Sequence, residues 1–157
     1  MSTSVINPKQ FLQVTRIIYF ALIAGQLFFL AAVLFITGGK FIFKINLSDP
    51  LLLCCILLTC VSPLSGYLIA KMMFKQIDQN DQLMNKLTKY QSGQIIRLAT
   101  CEGIGLLAIV SLLLTDNSLF FVFLLIIFAL FWQYYPSPEF IGRDLNLTET
   151  EINSFVG

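Results

Sequence analysis

The sequence predicts an all-α fold, a four-helix transmembrane bundle, and three observations predict it. Of 157 residues, 57% are apolar and 12% charged, whereas soluble domains run at roughly 45–50% and about 25%. Mean hydropathy is +0.80. Four stretches, 17–37, 51–70, 95–115 and 119–135, contain only two charged residues between them, Arg97 and Glu102. At about 1.5 Å per residue, some 20 residues cross a hydrocarbon core of roughly 30 Å. In lipid the backbone must satisfy its own hydrogen bonds, so runs this long and continuous are helices, not barrel strands. The whole chain, 1–157, reads as a single integral membrane domain.

Each element follows in order. Residues 1–16 are polar and carry Lys9 and Arg16. The apolar run that starts at Ile17 exceeds a signal-peptide core of roughly 7–15 residues and is read as a retained anchor. Residues 38–50 include Phe41, Ile42, Phe43 and Ile45 and are expected to lie along the bilayer surface. In the second span, Pro63 with Ser62, Ser65 and Gly66 predicts a kink or a close helix crossing.

The 71–94 loop keeps helical spacing through KMMFKQI, turns at Asp78–Asp81, and resumes with Leu83, Leu87 and Tyr90. A short antiparallel helical hairpin is expected there, with Met72, Met73, Ile77, Met84 and Leu87 covering one another. The Asp116-Asn117-Ser118 turn is so short that the third and fourth helices must be antiparallel neighbours. Trp132, Tyr134 and Tyr135 read as an aromatic belt closing the fourth span, and Arg97 as an interfacial residue snorkelling to lipid phosphates. In the tail, 136–157, Ser137-Pro138-Glu139 is a helix start and Thr148 to Glu151 a capping box. Two short helices packing under the bundle are expected.

Orientation follows from counting cations. The N-terminus, the 71–94 loop with its flank, and the tail hold eight Lys and Arg; the other side holds Lys40 and Lys44 alone. This bias places both termini in the cytoplasm of a multi-pass protein of the plasma (inner) membrane.

Composition also excludes function classes. Net charge is +1, with no basic surface for nucleic acid, and histidine is absent. That removes the commonest general base and metal ligand. Cys54, Cys55, Cys60 and Cys101 lie inside apolar stretches and read as small packing residues, with no disulfide framework or metal site. No phosphate loop, nucleophile elbow or zinc-protease motif is present. No enzyme activity, no catalytic residue and no cofactor are expected; the partners are the bilayer and either a membrane-protein partner or further copies of the chain.

Glu102 is the most informative side chain. It lies about seven residues, or roughly 10 Å, inside the third span. An ionised carboxylate in hydrocarbon is costly, so it should face the interior. Gln26 on the first span and Ser62, Ser65 and Tyr67 on the second match its depth, which predicts a polar cluster with Glu102 hydrogen-bonded at its centre. In the functional reading Glu102 binds a proton or cation while the second helix moves about Pro63 and Gly66. In the structural reading it fixes helix register. With one carboxylate, no second acid nearby and no histidine, the structural reading leads.

Shifting the chain by 78 residues lays 17–37 on 95–115 with matches at Ala21/Ala99, Gly25/Gly103 and Thr37/Thr115 among others, as expected of a parallel duplication of two hairpins. Around Tyr90-Gln91 through Glu102-Gly103, with Ile95, Ile96 and Arg97, the chain resembles a group of small uncharacterised four-span bacterial inner-membrane proteins. The resemblance returns from Pro136 to Leu147, with Asp144 and Leu145. It implies a helical membrane protein and carries no catalytic residue. Rotor proteolipids share the span number, but the resemblance fails on their glycine-rich inner helices and mid-membrane acid. The expected function is a non-enzymatic accessory, assembly or self-associating subunit; the alternative is a small proton- or cation-linked transport component using Glu102.

Overall fold

A computed structural model describes residues 7–78 and 81–155. It is all-α: α1 (Pro8–Thr37), α2 (Pro50–Lys75), α3 (Leu83–Thr115), α4 (Phe120–Gln133), α5 (Pro138–Leu145) and α6 (Glu149–Asn153), with no strand among the described residues. Three of these, α1, α2 and α3, are long and apolar enough to cross a membrane. A fourth span is reached only if α4 and α5, bent by 77° at their junction, count as one. Gln79 and Asn80, within the expected polar turn, lie outside the described residues.

Three helices start on the same local chemistry. Asn7, Asp49 and Ser137 each cap the next helix with a side-chain oxygen, and each is followed by proline at the first helical position. That position needs no N–H and suits proline's fixed φ. As a result α1 begins nine residues before the apolar stretch that announces it. It ends at Gly38 in the left-handed region (φ 64°), whose N–H caps the last carbonyls. The expected capping box opens α6, with both reciprocal bonds formed between Thr148 and Glu151.

Helix α4 is shorter than its apolar stretch. Its 14 residues give a length of about 21 Å, because the Asn117-centred turn takes Leu119 at one end and the helix stops at Gln133, ahead of Pro136, at the other. A proline disfavours helix in the residue before it.

The third helix is the hub, in contact with α1, α2, α4 and α5. Three apolar clusters stack along it. One joins Val33, Leu52, Ile109 and Phe120 near the α3–α4 turn; a middle one joins Tyr19, Leu98, Ile127 and Phe131. The third, at the end carrying the tail, joins Phe11, Leu87, Tyr90, Ile141 and Phe155. Thus α5 and α6 pack beneath the starts of α1 and α3, as their sequence predicts. Of the side chains expected to cover the 71–94 hairpin, Ile77 and Leu87 are buried and Met84 packs beside them, but Met72 faces outward, 63% exposed.

The 38–50 segment is fixed at one point. Ile42 pairs with Asn117 in an isolated parallel bridge, its N–H donating to Asp116 O (2.8 Å). The Asn117 side chain then accepts from Lys44 N (3.1 Å) and donates to Lys44 O (2.7 Å). Ile42, Phe43, Ile45 and Leu47 stay exposed around this clasp.

Candidate functional site

The residues of the expected polar cluster are dispersed, and two of them, Gln26 and Ser62, tie a helix to α3 through a backbone carbonyl. Gln26, fully buried, donates from Nε2 to the Glu102 carbonyl (3.2 Å). It fits because Gly105 has no side chain: a Cβ there would stand 2.6 Å from Gln26 Nε2. Ser62 donates to Thr100 O (3.3 Å), joining α2 to α3, and Ser65 bonds back to Ser62 O (2.8 Å). One residue on, Gly66 lies so close to α3 that a Cβ would run into the Thr100 side chain. Helix α2 thus approaches α3 closely at Gly66 and stays helical through Pro63.

The Glu102 carboxylate is not at the centre of this arrangement. It is partly buried at the edge of α3's inward arc and has no hydrogen-bond or ion-pair partner among the described residues. The Gln26 amide and the Ser62 and Ser65 hydroxyls donate to main-chain oxygens instead of to this carboxylate.

The residues expected at the interface are placed differently from one another. Trp132 faces outward, 85% exposed. Tyr135 turns in against Tyr19 (5.5 Å between rings) and lies under Arg16. Tyr67 leaves the Glu102 region and packs against Lys71 and Arg97. Arg97 does not snorkel. It is 7% exposed, pairs with Asp144 through Nη1 (3.0 Å), and lies over the faces of Phe74 (4.8 Å), Tyr67 and Tyr134. A tail carboxylate 47 residues away supplies the counter-charge, so the guanidinium need not reach phosphate.

Around this pair opens a cleft of about 610 Å³ at the tail end of the bundle. Lys71 and Lys75 from the end of α2 and Arg143 from α5 line it with Arg97, against the single acid Asp144. Aromatic rings of Tyr67, Phe74 and Tyr134 form its walls. Gln94, buried at its edge, donates to Tyr134 O (2.6 Å), and its Oε1 has no partner among the described residues; nor has Arg97 Nε. The cleft escaped the sequence reading because it is built from three distant segments. The available signal was the pair of lysines one turn apart at the end of the second apolar stretch.

Cys55 and Cys101 are buried and Cys54 and Cys60 exposed, all as free thiols, and no group of three or more Cys, Asp or Glu could hold a metal among the described residues. Comparison with family models, with curated proteins and with solved structures returns no match for the chain.

Proposed function

We propose that the chain is a four-helix, multi-pass protein of the plasma (inner) membrane, with both termini cytoplasmic, that works without catalysis as an accessory or self-associating subunit. One observation carries this reading. In the apolar windows of α1 and α2 only 17% and 22% of residues are buried, against 44% for α3. Two complete apolar helices thus present most of their circumference outward around a well-packed third. The excess of Lys and Arg on the side of both termini supports the orientation. The short α4 crosses with local thinning of the bilayer and the outward Trp132 at its boundary.

Native thiols test the association. Cys54 and Cys60 are exposed on α2. Oxidative or bifunctional thiol cross-linking in native membranes should give an adduct at about twice the 17.7 kDa chain mass, lost in Cys54→Ser/Cys60→Ser. A chain that stays monomeric at every concentration contradicts self-association.

A proton- or cation-linked transport component is the second reading, favoured by the unpartnered Glu102 carboxylate. It requires that Glu102→Gln abolish a pH-dependent flux in proteoliposomes. Equal flux in the two proteins, or none in either, removes it.

A further inference from the structure

We propose that the cleft between α2, α3 and α5 is a binding site for a phosphate-bearing anion. The cleft volume of about 610 Å³ falls in the range of small-molecule sites. Its charge is unbalanced, with Lys71, Lys75, Arg97 and Arg143 facing one carboxylate, Asp144. Only Arg97 is closely paired, for Arg143 Nε stands 4.0 Å from Asp144 Oδ1, and Lys71 and Lys75 have no acidic partner among the described residues.

Two polar atoms of cleft-lining residues are unpartnered among the described residues. Arg97 Nε is a buried donor with nothing to donate to, and Gln94 Oε1 a buried acceptor with nothing to accept. Both atoms are closed off from the cleft, so an anion there would instead meet the exposed ammonium groups of Lys71 and Lys75 and the exposed Arg143 guanidinium. The surplus of positive charge in a cleft with low-dielectric aromatic walls concentrates anions there. The apolar stretch of α2 ends beside the cleft at Ala70, and that of α3 begins there at Ile95. A phospholipid headgroup therefore meets it at the level where basic pockets between membrane helices hold anionic lipids. The lipid as source rests on the membrane reading above; the recognition of phosphate does not.

The test uses the full chain in phosphatidylcholine micelles doped with phosphatidylglycerol, with retained lipid counted by native mass spectrometry and glycerol 3-phosphate added as a soluble competitor. Three variants are compared: the wild type, Lys71→Gln/Lys75→Gln/Arg143→Gln, and the charge-matched control Lys9→Gln/Lys40→Gln/Lys44→Gln. Wild type and control should retain phosphatidylglycerol over phosphatidylcholine, and the cleft variant should lose that preference roughly tenfold or more, with an unchanged melting temperature. Displacement by millimolar glycerol 3-phosphate supports a site for soluble phosphoesters; preference without displacement supports the lipid as occupant. If no variant prefers either phosphate compound, or if the control loses as much as the cleft variant, the proposal is overturned.

Discussion

Arg97 is held on one side by the Asp144 carboxylate and on the other by ring faces, and neither contact is local in sequence. A buried charge stripped of its partner is more costly than the pair is valuable. Asp144→Asn should therefore destabilise the protein in detergent by about 3 kcal/mol, and adding Arg97→Met should recover much of the loss, both read by thermal melting. At the α2–α3 crossing, Gly66→Ala should cost about 1–3 kcal/mol through overpacking, since its Cβ meets Thr100. Thr100→Ala should restore part of that. Glu102 was conspicuous in the sequence because a charge interrupts an apolar run. Its lack of a partner was not legible, because that depends on which carbonyls Gln26 and Ser62 reach.

Among the elements, the ones announced by local chemistry were readable. Ser137-Pro138 and the Thr148–Glu151 box lie where the capping pattern puts them. The same pattern at Asn7-Pro8 and Asp49-Pro50 marks the starts of α1 and α2, which hydropathy alone places too late. Helix α6 is also held from outside. Lys86, buried on α3, donates to Glu151 Oε1 (3.3 Å). The Thr148 backbone N–H first, then the Thr148 hydroxyl and Lys86, hold the Glu151 carboxyl below the usual carboxylate range. A depressed acid contributes its stability above its unfolded value, about 4.3, and loses it as pH falls through the folded value. Protease protection of the tail should thus be constant at neutral pH and decline below about pH 4. In Glu151→Gln the protection should be weaker at neutral pH, and this acid-dependent component should be gone.

For the whole molecule, composition and four apolar stretches were enough to reveal helices suited to a membrane, and cation counting gives an orientation to test. In the proposed topology a tag at either terminus should be labelled only after the membrane is permeabilised; labelling from outside intact cells would reverse the topology. The assembly around α3 was not legible, since contacts among apolar helices leave no charge pattern to read, and packing rather than hydrophobicity drives them in lipid. That assembly also has a temporal side. The amide of Gln26 waits for the carbonyl of residue 102, which the ribosome supplies only after the first hairpin is complete. If the chain inserts as proposed, a nascent chain arrested at residue 94 carries the whole Gln26 amide unpartnered in hydrocarbon, whereas in the finished fold its Nε2 is bonded and Oε1 alone lacks a partner among the described residues. Such an intermediate should be retained by an insertase or cleared by membrane proteolysis, while Gln26→Leu should relieve that dependence during synthesis.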